Sequence, residues 1–306
     1  MTVAALEIEH LSKTYKNGVE ALKSISFKVE QGDFFALLGP NGAGKSTTLG
    51  IISSIVIKTA GRVSIMGYNL DTAPFNAKRH LGVMPQELNL SVFDSALDIL
   101  MTQANYYGMP RKEARVRALM LLEKLELLAK KDEPVRMLSG GMKRRLMIAR
   151  SLIHNPKVVI LDEPTAGVDV ELRKLMWDFF MELNRQGLTV ILTTHYLEEA
   201  EKLCRNVAII NQGEIVRQGR MEALMQELEE ELLILDLETP IASVPDIPWK
   251  TELINDHQLS VLIKKGHSLN ELFNALSLQG IQVLSLRNES NRLEQVFIHL
   301  IEEHRA

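Results

Sequence analysis

Gly39-Pro40-Asn41-Gly42-Ala43-Gly44-Lys45-Ser46-Thr47 follows the unbroken apolar run Phe34 to Leu38 and precedes residues whose apolar positions recur at helical spacing. A run that is apolar at every position is buried on both faces, as a strand inside a parallel sheet is. Strand, glycine-rich turn and helix make the setting in which G-x-x-x-x-G-K-[ST] cradles a phosphate. The glycines let the backbone wrap closely round the anion, with successive N–H groups pointing inward. The helix that follows adds the partial positive charge of its N-terminus. Lys45 is expected to reach the β- and γ-phosphates, and the Ser46 hydroxyl to ligate Mg2+.

A second motif supports the first. Val158-Val159-Ile160-Leu161 is an apolar strand ending in Asp162 and Glu163. If this strand lies next to that of the phosphate loop, Asp162 stands beside the loop. One carboxylate can then hold Mg2+ while the next orients a water. Leu188 to Leu192 and Val207 to Ile210 read as further buried strands with helical patterns between them, which argues for a parallel α/β sheet.

Outside that frame the periodicity changes. Ile25, Phe27 and Val29 alternate with polar residues after the turn dipeptide Asn17-Gly18, the mark of an antiparallel pair. The span from about Glu87 to Asn155 reads as a helical insertion. Pro110 stands at a helix start there, and Ala118, Leu121, Leu122 and Leu125 share one face. The short basic run Lys143-Arg144-Arg145 reads as a solvated helix face.

After Gly219 the character changes again. Met221 to Leu232 is an acidic helical pattern, and Pro240, Pro245 and Pro248 mark an irregular segment. Leu259, Val261 and Ile263 alternate as in a strand, and Ser268 with Glu271 forms a capping-box pattern ahead of Leu269, Leu272, Phe273 and Leu276. Ile281 to Leu286 reads as a strand, and Leu293, Val296, Phe297, Leu300 and Ile301 as the stripe of a last helix.

Leu138-Ser139-Gly140-Gly141-Met142 resembles the signature pentad, usually L-S-G-G-Q, of the ATP-binding cassette (ABC) ATPases. Ser139 and the Gly140 and Gly141 amides open a helical run and so form a second anion-binding helix terminus. Met142 departs from the usual glutamine but leaves the serine and glycine donors intact. Further positions match one by one. By resemblance, Tyr15 stacks on adenine, and Gln86 in Met84-Pro85-Gln86 touches Mg2+ and the attacking water. Asp169 matches the D-loop, and His195 in Thr193-Thr194-His195 is the switch histidine at the γ-phosphate. The resemblance covers residues 4 to 220. It is nearest to ATPase subunits paired with ABC-2-type permeases, the daunorubicin-resistance-like exporters. Leu138 to Arg145, Thr194 to Ala200 and Asn291 to Phe297 carry it.

The resemblance implies an α/β P-loop NTPase domain with a mostly parallel sheet, an antiparallel β subdomain and a helical insertion at about residues 87–155. Residues 1–222 would form this domain, and 223–306 a small α+β accessory domain for packing or dimerisation. It implies the cofactors ATP and Mg2+. Catalysis falls to Glu163, His195 and Lys45, and the metal to Ser46, Gln86 and Asp162. The implied partners are a second copy of the chain, bound head to tail, and an integral-membrane ABC-2-type permease. A soluble ABC ATPase acting on nucleic acid or ribosomes is the alternative.

Composition narrows the choice. The chain has 306 residues, 46 % of them apolar and 24 % charged, which suits one large or two smaller globular domains. No apolar run approaches the ~20 residues of a membrane-spanning helix, and Met1 to Glu9 does not read as a signal peptide. A net charge of −4 gives no electrostatic footprint for nucleic acid, so none is expected as a partner. The single cysteine, Cys204, excludes an intrachain disulfide and reads as a half-buried packing residue. The expected location is the cytoplasmic face of the inner membrane, reached through the permease.

Overall fold

The computed structural model describes residues 3–226, 230–264, 267–288 and 292–304, which form two compact units dividing between Gly219 and Arg220. In the first unit β1 (Leu6–Thr14) and β2 (Glu20–Val29) pair antiparallel around the Asn17-Gly18 turn. Ile25, Phe27 and Val29 all face inward as the alternation requires. β3 (Phe34–Leu38) is buried at every residue and delivers the chain through the glycine loop into α1 (Lys45–Ile52). β4 (Ala60–Ile65) and β5 (Tyr68–Asn69) extend the antiparallel sheet in the order β2-β1-β4-β5.

α2 (Pro74–Arg79) leads to β6 (Leu81–Met84), and α3 (Ala96–Tyr106), α4 (Arg111–Lys124) and α5 (Gly140–Leu152) fill the span before β7 (Val158–Asp162). Pro110 sits at the N-cap of α4, and Ala118, Leu121, Leu122 and Leu125 are buried, so the expected face is the packed one. α6 (Val170–Arg185), β8 (Thr189–Thr193), α7 (Leu197–Leu203), β9 (Asn206–Asn211) and β10 (Glu214–Arg220) complete the unit.

The larger sheet runs β10-β9-β3-β8-β7-β6, with every pair from β9 to β6 parallel. This corrects one expectation: β3 and β7 are not neighbours, because β8 lies between them. Both sheets share one core with α1. The rings of Phe27 and Phe35 stack there at 5.6 Å, joining β2 to β3. Truncating such a ring to alanine costs about 3–5 kcal/mol.

The basic run is also corrected. Arg144 is 8 % exposed, and the side chain of Arg145 is 13 % exposed where it meets Glu126. Both donate to backbone carbonyls, Arg144 to Gln86 and Ala166 and Arg145 to Leu125. The apolar stems pack while the guanidinium groups reach carbonyls that helices and loops leave unpaired. Cys204 ends α7 fully packed rather than half-buried, and burial pushes its thiol pKa well up.

The second unit contains α8 (Met221–Met225), β11 (Glu230–Leu237), β12 (Lys250–Asn255), β13 (Gln258–Lys264), α9 (Leu269–Leu278), β14 (Val283–Asn288) and α10 (Arg292–Glu303). The helix expected over Met221 to Leu232 therefore stops at Met225, and Leu232 lies in a strand opposite Leu262. Leu233, Leu235 and Leu237 share the strand face that enters this unit's core, and pairing with β13 overrides the helical reading of the residues before them. The antiparallel sheet runs β12-β13-β11-β14, and its buried face packs on Leu272 and Leu276 of α9. The last strand begins at Val283 rather than Ile281, which is buried ahead of it. Ser268 caps α9 through the amide of Asn270, one residue short of the Glu271 amide that a capping box uses. Asn291, at the start of the Asn291-to-Phe297 pattern, lies outside the described residues.

Candidate functional site

The C-terminal ends of four parallel strands build the site, where open α/β sheets hold ligands. β3 delivers the glycine loop, β8 ends at Thr193 two residues before His195, β7 ends at Asp162 and β6 runs into Pro85-Gln86.

The loop Gly39 to Thr47 is shaped by close approach. A Cβ on Gly39 would lie 2.3 Å from the Ile210 carbonyl oxygen. Gly44 holds φ +115°, where a side chain would strain the backbone, and caps α1. Pro40, Asn41, Gly42 and Ala43 form the turn between them, and Ala43 is buried against the core. Lys45 folds back over the loop, its ammonium donating to the carbonyls of Gly39 at 2.5 Å and Pro40 at 3.1 Å. Burial lowers the Lys45 pKa, and the charges of Glu163 and Asp162 oppose that shift. Those two carboxylates thus face the ammonium although their strand is not adjacent to β3.

β8 supplies the missing link. In register with Asp162, Thr193 donates its hydroxyl to Asp162 Oδ1 at 2.5 Å. Burial raises the Asp162 pKa, while the Thr193 bond, the Lys45 charge and a bond from the Gln86 backbone favour its ionised form. Glu163 is held from both sides. Gln86 Nε2 donates to Glu163 Oε2 at 3.0 Å, and His195 Nδ1 lies 3.2 Å from the same oxygen. The Glu163 backbone sits at φ +48°, a left-handed conformation costing on the order of 1–3 kcal/mol for such a residue. Its N–H donates to Thr193 O, and its carbonyl accepts from Ala166 N–H. His195 keeps half its side chain exposed and packs against the Tyr196 ring at 4.0 Å.

Tyr15 stands just past β1, exposed, its hydroxyl 3.3 Å from Thr47 Oγ1 and its ring under the Lys13 ammonium. The ring is therefore presented beside the phosphate loop rather than packed in the sheet. Asp169 caps α6 by accepting from the Leu172 N–H at 2.8 Å. Ser139 caps α5 through the Met142 N–H, and Ser139 and Gly140 are exposed. The structure therefore brings Lys45, Asp162, Glu163, Gln86 and His195 into one cluster and leaves Ser139, Gly140 and Gly141 at an open helix terminus.

The Thr193 bond to Asp162 was not legible in the sequence, where its only signal was a hydroxyl at the last position of a buried strand. Arg144 was missed as well. The signal there was helical spacing: Met147, Ile148 and Ser151 follow it three, four and seven residues on, and all are buried.

Residues 22–166 match the family model described as "ABC transporter". Over 96 % of its length the chain is 34 % identical to the linearmycin resistance ATP-binding protein LnrL of Bacillus subtilis (strain 168), covering 97 % of that protein. A Nod factor export ATP-binding protein I of Burkholderia thailandensis is 40 % identical over 74 % of each chain. Among solved structures, an ATP-binding subunit of an ABC transporter superposes with TM-score 0.68 at 29 % identity, over 73 % of this chain and 92 % of that one. A dimeric ATP-binding cassette in a post-hydrolysis state, bound to ADP and Pi, superposes with TM-score 0.65 at 28 % identity, over 71 % of this chain and 98 % of that one.

Proposed function

The chain belongs to the ABC transporter family, and from that premise we propose that it is the ATP-hydrolysing subunit of an exporter, acting as a head-to-tail homodimer on an integral-membrane ABC-2-type permease. The observation that carries the reading is Glu163, held by Gln86 and His195 across from the Lys45 ammonium.

ATP would enter with its phosphates in the Gly39–Thr47 loop and its adenine against Tyr15. Lys45 exchanges the Gly39 and Pro40 carbonyls for the β- and γ-phosphate oxygens. A water aligned by Glu163 and Gln86 attacks the γ-phosphorus and gives its proton to Glu163. The bond from that phosphorus to the β–γ bridging oxygen breaks, leaving ADP and phosphate. His195 and Lys45 stabilise the charge that develops on the transferred group, chiefly by position and electrostatics.

The hydroxyl of Ser46, the amide oxygen of Gln86 and the carboxylate of Asp162 are hard oxygen donors of the kind Mg2+ takes together with phosphates. Held by these residues, Mg2+ would supply positive charge that offsets the charge of the phosphates. Asp162, with Oδ1 already bonded to Thr193, retains a second oxygen for it.

Ser139, Gly140 and Gly141 complete the other copy's site: their exposed helix terminus supplies anion-binding N–H groups where the partner's γ-phosphate would dock. Hydrolysis removes that phosphate bridge, and the reopening of the dimer is the two-state element that moves the permease. The names of the linearmycin resistance and Nod factor export relatives support the exporter assignment. Among the described residues no helix is long and apolar enough to cross a membrane, in keeping with attachment to the cytoplasmic face through the permease.

Purification from membranes in mild detergent, with identification of what co-elutes and an ATP turnover assay, tests the reading. A co-eluting permease and Mg2+-dependent turnover are expected. A folded protein without turnover, or one that co-elutes with RNA or ribosomes, would overturn it.

A further inference from the structure

Arg144 bonds two residues that themselves hydrogen-bond Glu163. Its Nη1 donates to the Gln86 carbonyl and its Nη2 to the Ala166 carbonyl, each at 2.9 Å. Both carbonyls belong to segments that hold Glu163 by other groups. The Gln86 side chain bonds the carboxylate, and the Ala166 N–H bonds the Glu163 carbonyl. One guanidinium therefore ties together two segments that hold Glu163, one by its carboxylate and one by its backbone carbonyl. A planar fork with five N–H donors can span two separate carbonyls, which an ammonium on a single stem cannot do with the same geometry.

The placement of Arg144 gives this clamp a direction. It lies on α5, the helix whose N-terminus carries Ser139, Gly140 and Gly141. In the head-to-tail dimer, on which this inference rests, that terminus meets the ATP on the partner's phosphate loop. Gln86 and Glu163 act on the ATP of their own chain. α5 thus has one end in one nucleotide site and, through Arg144, a hold on the hydrolytic group of the other. Packing leaves the link little slack, since Arg144 is buried together with Leu146, Met147 and Ile148.

We propose that Arg144 is a positioning residue that couples the two ATP sites of the dimer. Docking of α5 on the partner's γ-phosphate sets the Gln86 and Ala166 backbones, and through them Glu163, for hydrolysis of the chain's own ATP. Loss of the link then lowers turnover without weakening nucleotide binding or dimerisation.

The test compares the full-length protein with Arg144→Gln and Arg144→Lys. Three quantities are read: ATP affinity, ATP-dependent dimerisation by size exclusion, and turnover against ATP concentration. Arg144→Gln should bind ATP and dimerise as wild type does, while kcat falls about tenfold, within the usual range of coupling energies. Arg144→Lys, which keeps the charge but reaches one carbonyl, should fall between. Wild-type kcat in Arg144→Gln would overturn the proposal. So would full restoration by Arg144→Lys, or a fall in kcat accompanied by an equal loss of ATP affinity or of dimerisation. If Arg144→Gln does not fold, the folded Arg144→Lys variant decides by the same criterion. Failure of the underlying dimer model has its own signature, because Ser139→Arg would then still dimerise with ATP whatever Arg144 does.

Discussion

Gln86 Nε2 and Glu163 Oε2 are joined at 3.0 Å although 77 residues separate them in the chain. The bond links the loop after β6 to the end of β7, and the same carboxylate oxygen also faces His195 Nδ1. The Glu163 carboxylate is thus held in place by two loops, as the proposed water-orienting role requires. Positioning of this kind is most of what phosphoryl transfer asks of a protein.

Glu163→Gln keeps the size and hydrogen bonding of the side chain but removes the group that takes the proton. Hydrolysis should fall by about 10²–10⁴-fold, the usual worth of a general base. ATP binding should persist and ATP-bound dimers accumulate, because the step that reopens them is blocked. Turnover and size exclusion with ATP check this, and wild-type turnover would remove Glu163 from its role.

Ser139→Arg puts a bulky side chain at the exposed N-terminus of α5, where the proposed head-to-tail dimer places the partner's γ-phosphate. The variant should bind nucleotide yet stay monomeric with ATP, whereas Lys45→Ala loses nucleotide binding within its own chain. Mixed dimers carrying one copy of each place both lesions in one site and leave the other intact, so they should retain partial turnover. An unimpaired ATP-dependent Ser139→Arg dimer would rule out the head-to-tail arrangement.

Truncation after Gly219 should leave ATP binding intact, since the phosphate loop, Asp162 and His195 all belong to the first compact unit. The expected change is weaker dimerisation or altered turnover, read by size exclusion and steady-state assay. Complete loss of nucleotide affinity in a folded truncation would mean that residues 220–306 help to build the site.

Phe93 is 76 % exposed, and Leu88 and Val92 beside it are also exposed, so these three do not simply pack inside the helical insertion. Together with the partly buried Leu90, this stretch after Gln86 would offer an apolar grip to a short helix of the proposed permease. Phe93→Asp should release the protein from membranes that contain the permease without altering ATP affinity. Fractionation checks this, and unchanged sedimentation of the variant would move the docking surface elsewhere.

Glu199 is buried, and its carboxylate accepts from Thr165 Oγ1 at 3.1 Å and Trp177 Nε1 at 2.8 Å. Burial raises its pKa above the ordinary 4.5 despite those bonds. Below that ordinary value the group is protonated whether folded or not, and its contribution to stability is fully present. As pH rises through the raised folded pKa the unfolded chain binds fewer protons than the native one, and that contribution is lost. Glu199→Gln has no proton to lose, so its Tm relative to wild type should climb from pH 4.5 towards neutrality and then level off. A gap that narrows with pH would contradict the assignment.

The sequence alone determined the features that are contiguous in the chain. The glycine loop, the Asp162-Glu163 strand end and the signature pentad each announce a chemistry through residue type and spacing within a few positions. The buried strands followed from apolar runs that only a two-sided sheet interior can accept. What the tertiary structure decided was adjacency. β8 separates β3 from β7, yet Lys45 and Asp162 lie close enough for their charges to act on each other, and Thr193 of β8, in register with Asp162, holds that carboxylate by its hydroxyl. Charge in a sequence implies solvent until a fold supplies unpaired carbonyls, and so Arg144 read as surface while the structure buries it between two loops. Residues 221 to 232 carried a helical pattern, yet the leucines from 233 onward alternate and a neighbouring strand was present to pair with them. Local periodicity selects among conformations open to a segment, and long-range packing chooses the one whose partners exist.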